Sequence, residues 1–172
     1  MPGDAPFQRS AYVLGSGTGG LETALASATQ ADAEALGPAI AGMDPWARLG
    51  GSPAQLISSL AGSNEIRRCY AIWHGGVRAG AVVVRFPWLS GPYLNLLAVL
   101  PAYQRTGVGR AALAWMEVEA RAAGARNCFL CVSGFNTAAQ AFYRRNGYTD
   151  AALLDDLLKD GEDEILMRKQ LR

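Results

Sequence analysis

Cysteine, net charge and long apolar runs are all scarce in this chain, and each scarcity closes off a class of protein. Three cysteines (Cys69, Cys128, Cys131) among 172 residues do not make a disulfide framework. Charged residues are 18% of the chain against a usual ~25%, and 16 Lys plus Arg against 15 Asp plus Glu leave +1. That excludes a global polyanion binder, so nucleic acid is not an expected partner. Uninterrupted apolar runs, such as 69–73 and 96–100, fall far short of the ~20 residues of a membrane span, so no membrane is expected either. The first ten residues carry Asp4 and Arg9 and lack the apolar stretch of a signal peptide, which points to a cytoplasmic protein.

What is present suffices for one ordinary domain. Half of the residues are apolar, enough to fill a core and to exclude disorder. Glycine stands at 20 residues, roughly 12% where ~7% is usual, so tight turns and close backbone approaches are expected.

Residues 1–20 are poorly patterned and read as a flexible lead-in to a domain over 21–172. A first strand over 21–28 leads to Thr29, an N-cap for a helix over 30–42 with Asp32 in its first turn. Gly37-Pro38 is expected to kink or break that helix. Ser52 and Pro53 open a second helix that runs to about Ala61. Runs at 67–74 and 77–86 are β-branched or aromatic and flank Gly75-Gly76, a hairpin with a type I′ turn. The run 93–100 is nearly all apolar and reads as a strand buried on both faces.

From 106 to 123 the period is helical, with Leu113, Met116 and Ala120 on one stripe and Glu117 four residues before Arg121 on another. A short strand over 127–133 follows, then a helix capped by Asn136 and closed at Asn146-Gly147. Two last strands, 148–158 and 164–171, flank a polar turn. This order predicts an α/β fold with a mixed sheet.

The segment Gln104-Arg105-Thr106-Gly107-Val108-Gly109-Arg110 lies between a buried strand and a long helix. Glycines at a helix start leave backbone N–H groups unobstructed, and with the helix dipole they suit a phosphate or pyrophosphate. Arg105 and Arg110 add positive charge. A plain packing role for the glycines, with solvated arginines, explains the segment equally well when it is taken alone. No Gly-Lys-Ser/Thr follows, which excludes a Walker A loop, and no acid stands ~20 residues on, as a dinucleotide fold requires.

A strand ending Leu97-Ala98-Val99-Leu100-Pro101, then Gln-x-x-Gly-x-Gly and a long helix, resembles the acyl-CoA loop of the GNAT superfamily of N-acetyltransferases. Asn136 and the run Ala141-Phe142-Tyr143-Arg144-Arg145-Asn146-Gly147-Tyr148 resemble that family's second block, and Arg110 and Asn136 stand 26 residues apart with one helix and one strand between. The resemblance implies a GNAT-type fold: a single domain with a mixed, mostly antiparallel central sheet flanked by helices. It implies an acyltransferase that moves acetyl from acetyl-CoA, with no metal, directly to a primary amine in a ternary complex. The acceptor would be a small molecule or a protein or peptide N-terminus, entering from the side of 43–55.

By the same resemblance, backbone groups of Leu97, Ala98 and Val99 pair with the pantetheine arm and one N–H polarises the thioester carbonyl. Gln104, Arg105, Thr106, Gly107, Val108, Gly109 and Arg110 hold the pyrophosphate. Asn136 touches the pantetheine arm, and Tyr143 protonates the departing thiolate. Full proton transfer from an ordinary tyrosine to a thiolate runs uphill by about 2 kcal/mol, so hydrogen bonding is the larger part of that role. Related enzymes are often homodimers, although no segment here reads as an interface.

No Asp or Glu occurs from 66 to 116, so the central strands supply no general base. A water held by backbone carbonyls is the expected relay, with Asp44, Glu65 and His74 as the other options. A catalytically silent acyl-CoA-binding or sensor domain is the alternative that this gap favours.

Other signals point elsewhere. Gly15-Ser16-Gly17-Thr18-Gly19-Gly20 matches a dinucleotide pattern literally but lacks the βαβ setting, and a linker explains it. Cys128 and Cys131 alternate across a strand without a second metal-binding half, and read as core. His74 reads as a strand-end residue, and Trp46 as either core cover or acceptor wall. Charge is segregated: 66–116 carry six arginines and no acid, whereas 150–164 carry seven acids and one lysine. The neutral total therefore leaves room for an anion site in the basic segment.

Overall fold

Alternating runs from 67 to 99 and helical periods on either side of them build a sheet covered on both faces. The computed structural model describes residues 5–16 and 20–171. Strands β1 (Ala11–Ser16), β2 (Glu22–Ser27), β3 (Arg67–His74), β4 (Val77–Trp88) and β5 (Gly91–Val99) form an antiparallel meander. Strands β6 (Asn127–Ser133), β7 (Thr149–Lys159) and β8 (Glu162–Gln170) complete it in the order β1-β2-β3-β4-β5-β6-β8-β7. Only the β5–β6 pair is parallel among the described strands, as its helical crossover requires.

Helices α1 (Gln30–Ala41), α2 (Trp46–Leu49) and α3 (Pro53–Ala61) lie between β2 and β3. Helix α4 (Val108–Ala122) joins β5 to β6, and α5 (Thr137–Arg145) joins β6 to β7. On β3 and β4 the side chains alternate between two cores. Cys69, Ala71, Ala81 and Val83 meet Leu36, Ile40 and Leu60 of α1 and α3. Tyr70, Ile72, Val82 and Val84 meet Leu113 and Met116 of α4. Gly75 and Gly76 take φ of +59° and +79°, the left-handed pair a type I′ hairpin demands.

Two expectations fail here. Residues 1–20 are not all a loose lead-in: 11–16 form edge strand β1, and Phe7 is buried beside Tyr12, Tyr70 and Trp115. The Phe7 N–H donates to Glu119 Oε2 of α4 at 2.7 Å, and the Tyr70 hydroxyl donates to the Phe7 carbonyl at 2.7 Å. These partners lie 112 and 63 positions along the chain, beyond the reach of any local pattern. The glycine-rich stretch after β1 has 17–19 outside the described residues, and a strand, not a helix, follows it.

Helix α1 also does not break at Gly37-Pro38 but runs on to Ala41. Proline forfeits one N–H, and burial of Ala33, Leu36 and Ile40 against α3 outweighs that loss. Gly37 is there for proximity, because a Cβ would lie 2.6 Å from Ile57 Cγ1 and 3.0 Å from the Ile57 nitrogen. Gly37→Ala gains about 1 kcal/mol of helix propensity but forces α1 and α3 apart, and overpacking of this kind costs ~1–3 kcal/mol. The expected outcome in thermal unfolding is a Tm several degrees lower; an unchanged or higher Tm contradicts the close approach.

The start of α1 is a capping box: the Asp32 N–H donates to Thr29 Oγ1 at 3.2 Å, and the Thr29 N–H donates to Asp32 Oδ2 at 2.9 Å. Arg78 reaches Asp32 Oδ1 from β4 at 2.7 Å. Burial pushes the Asp32 carboxyl up, but the Thr29 hydroxyl and N–H and the Arg78 guanidinium together hold it below its usual value of 3.8. A lowered carboxyl stabilises the fold fully above the unfolded value and stops doing so as pH falls through the folded one. Asp32→Asn is therefore expected to destabilise by about 1–2 kcal/mol at neutral pH, with the gap to wild type closing below about pH 4. Denaturant titrations across that range check it; a gap that does not narrow as pH falls contradicts it.

Candidate active site

Strand β5 makes the site by leaving its neighbour. It pairs with β6 only at Tyr93–Phe129 and Leu94–Leu130, and beyond Leu94 the two diverge. Against β4 the register passes from Val84–Leu94 to Val83–Leu96, so Asn95 is an extra, bulged residue. The expectation of a strand buried on both faces is corrected accordingly: the bulge swaps faces, Leu96 and Ala98 enter the α1–α3 core, and Leu97 and Val99 stay only half-buried.

The divergence opens a cleft of about 820 Å³. Of the residues singled out in the sequence, Leu97, Ala98, Val99, Gln104, Arg105, Gly107, Gly109, Arg110, Asn136 and Tyr143 line it. Two do not. Val108 is buried in the core against α4's own apolar stripe, and Thr106 donates its hydroxyl to the Tyr103 carbonyl at 2.6 Å, holding the loop. Gln104 Nε2 donates to the Val99 carbonyl at 3.0 Å, so its side chain ties the loop to the strand end.

Gly107 is the N-cap of α4 at φ +93°, and no side chain caps the helix. The first backbone N–H groups of α4 are thus left for a ligand, beside Arg105 and Arg110. Arg105 itself sits at φ +63°, a left-handed conformation that costs a non-glycine residue on the order of 1 kcal/mol. A Cβ on Gly109 would lie 3.4 Å from Phe142 Cζ, so the α5 ring borders the first turn of α4 at ordinary contact distance. Arg145 of α5, part of the Ala141–Tyr148 motif but without an expected role, also lines the cleft.

Asn136 Oδ1 accepts from the Ala139 N–H at 3.1 Å and caps α5 as expected. Tyr143 points from α5 into the cleft, and burial pushes its hydroxyl well above the ordinary tyrosine value.

The other end of the cleft is walled by Met43, Asp44, Pro45, Trp46 and Leu49 and by Leu157 and Leu158 of β7. Helix α2 is latched to the β7–β8 hairpin there. Arg48 Nε donates to Glu162 Oε1 at 2.8 Å, its guanidinium lies 4.1 Å from the centre of the Phe135 ring, and Lys159 Nζ donates to the Arg48 carbonyl at 2.7 Å.

Glu65 and His74 do not line the cleft. His74 is a buried strand-end residue, with Nδ1 2.9 Å from the Thr23 hydroxyl. Of the two cysteines, Cys128 is core, but Cys131 is half-buried and faces the cleft, because the strand beside it has departed. Glu164, to which no sequence pattern points, is also in the site. It lies on β8, 3% exposed, in the cleft wall, with the Ser133 hydroxyl donating to its Oε1. It stood in an acidic tail in which nothing marked one carboxylate from the next. No group of three or more His, Cys, Asp or Glu side chains that would hold a metal ion occurs among the described residues. No helix among them is long and apolar enough to cross a membrane.

A profile of the acetyltransferase (GNAT) family matches residues 43–148, which include both the loop before α4 and the α5 block. No curated protein matches the chain in sequence. Among solved structures, nourseothricin acetyltransferase is 30% identical over 63% of this chain and 67% of its own, with a TM-score of 0.58. The ribosomal-protein-S18-alanine N-acetyltransferase from Escherichia coli is 25% identical over 87% of this chain and 94% of its own, with a TM-score of 0.67. A GNAT family acetyltransferase from Elizabethkingia anophelis with acetyl-CoA bound shares the fold at 19% identity, covering 61% of this chain and 76% of its own, with a TM-score of 0.56. With its mostly antiparallel sheet, its diverging strands and this profile match, the chain belongs to the acetyltransferase (GNAT) family, and is an acetyl-CoA-dependent acyltransferase.

Proposed function

We propose that the protein binds acetyl-CoA in the cleft between β5 and β6 and transfers the acetyl group directly to a primary amine, on a small molecule or at a peptide N-terminus. The observation that carries this reading is the unpaired β6-facing edge of β5 beyond Leu94, leading straight to the uncapped N-terminus of α4. An amide-bearing pantetheine arm adds to such an edge as a strand would, through Leu97, Ala98 and Val99. Its pyrophosphate then meets the N–H groups of 107–110 and the cationic side chains of Arg105, Arg110 and Arg145. Asn136 and Phe142 border the path of the arm.

In this arrangement a backbone N–H of 97–99 polarises the thioester carbonyl and stabilises the oxyanion as the amine attacks. Tyr143 serves the sulfur. Because burial raises its hydroxyl, it keeps its proton and acts as a hydrogen-bond donor to the developing thiolate. The acceptor approaches from the end walled by Asp44, Trp46 and Leu158. Nourseothricin acetyltransferase and the ribosomal-protein-S18-alanine N-acetyltransferase are named for a small-molecule and a protein acceptor, and both classes are compatible with this cleft. The silent acyl-CoA-binding alternative rests on the lack of a carboxylate on the central strands, and Glu164, which lines the cleft from β8, speaks against it.

Gly107→Glu places a carboxylate where the pyrophosphate lies, on a residue that must also hold φ +93°. The expected outcome in calorimetry is loss of acetyl-CoA affinity by about 100-fold or more, several kcal/mol of like-charge contact and lost helix-terminus binding. Unchanged affinity refutes the cofactor site. Tyr143→Phe is expected to lower kcat by about 10- to 100-fold with little change in the KM for acetyl-CoA, since it removes an interaction made late in the reaction. A drop confined to KM contradicts the role at sulfur.

A further inference from the structure

We infer that Glu164 is the group that binds the acceptor's ammonium and takes its proton. This deepens the acyl-transfer reading and rests on it. Strand register sets Glu164 opposite Ser133 of β6 and Leu154 of β7, at the level where β6 and β5 have already parted. Its carboxylate is therefore enclosed by the sheet yet open to the cleft. Ser133 donates to Oε1, and Oε2 has no hydrogen-bond partner among the described residues.

Its lack of a cation separates Glu164 from the other buried acids. Asp32 has Arg78, and Glu117 has Lys169 at 2.7 Å and Arg121 at 3.7 Å. Glu164 has no ion pair among the described residues. The groups that face it are the Tyr93 hydroxyl from β5, the Cys131 thiol from β6 and Glu162 on its own strand, and the exposed Asp44 lines the same cleft. Glu162 is already engaged by Arg48. A buried carboxylate with one hydrogen bond and no counter-ion is completed by a cation delivered from the cleft. Arg105 and Arg110 flank the start of α4, whereas Asp44 and Glu164 line the cleft from the α1–α2 segment and from β8, a separation of charge that suits an anionic cofactor and a cationic amine.

The step balances as follows. The ammonium gives one proton to Glu164, and the freed lone pair forms the C–N bond at the thioester carbon. The C–S bond breaks with its electrons on sulfur, and the second proton shed by nitrogen brings that thiolate to the thiol. Burial raises the Glu164 carboxyl, and this narrows its distance from an alkyl ammonium near ~10.4. The Ser133 hydrogen bond works the other way and favours the charged form.

The test uses thiol release from acetyl-CoA with putrescine, spermidine and an alanyl peptide between pH 5.5 and 9.5, alongside calorimetric binding of acetyl-CoA and of the same amines to the CoA-loaded protein. Glu164→Gln is expected to keep acetyl-CoA affinity within about twofold and to weaken amine binding about tenfold. With the best amine it should lose 100-fold or more in kcat/KM, and with it the rise in rate with pH. Ser133→Ala is expected to retain the reaction but move that rise to higher pH, which a structural tie between β6 and β8 does not do. A Glu164→Gln protein that keeps the pH-dependent rise and a rate within about threefold of wild type overturns the inference in favour of a water relay. Failure of the wider reading appears in the wild type itself, as no acetyl-CoA binding, or as binding without uptake or acetylation of any amine; either result overturns the role of Glu164 as well.

Discussion

Once β5 parts from β6 beyond Leu94, a stretch of strand backbone has a ladder partner on only one side, and the remaining features of the cleft are arranged around that edge. The bulge at Asn95 turns Leu96 and Ala98 into the α1–α3 core, so the strand stays anchored to β4 while its other edge is free. An unpaired edge is ordinarily a liability. Here it is enclosed, with α4 and α5 on one side and the α1–α2 segment and the β7–β8 hairpin on the other. Gly80 belongs to the same arrangement: a Cβ there would collide with the Ala98 carbonyl, so β4 approaches β5 closely just where β5 must hold its shape alone.

Charge is divided along the cleft in the same sense as the chemistry. Arg105 and Arg110 flank the N-terminus of α4, and Asp44 and Glu164 line the cleft from the α1–α2 segment and β8. Two buried carboxylates show what environment does to one functional group. Asp32 is caught between Thr29 and Arg78, is held below its ordinary value and serves the fold. Glu164 has Ser133 and no cation, is pushed above its ordinary value and faces the cleft. Burial pushes both carboxyls up, and only Asp32 has enough donors around it, the Thr29 hydroxyl and N–H and the Arg78 guanidinium, to reverse that push.

Local chemistry made much of this legible in the sequence. Thr29 with Asp32, Ser52 with Pro53, Gly75-Gly76 and Asn136 each act within a few residues, and each does in the structure what its side chain or its φ freedom requires. What escaped depends on distance along the chain. Phe7 looks isolated until Glu119 and Tyr70 close around it, and Glu164 looks like one acid among seven until Ser133 and the departing β5 surround it. The basic segment was only partly a site. Arg67 holds the end of α3 through the Ser59 and Gly62 carbonyls, Arg68 donates to the Asn64 carbonyl and Arg78 pairs with Asp32, and of the six arginines only Arg105 and Arg110 line the cleft. A bulge has no residue signature of its own, which is why an evenly apolar 93–100 concealed the change of face at Asn95.

The central claim is that the unpaired edge of β5 and the N-terminus of α4 together receive acetyl-CoA. Backbone amide NMR during an acetyl-CoA titration tests it most directly. The account predicts saturable shifts concentrated at Leu97, Ala98, Val99 and the amides of 107–110, with slowed hydrogen exchange at the β5 edge as it gains a hydrogen-bonding partner. Absence of binding, or shifts that gather elsewhere while these amides stay still, would contradict it.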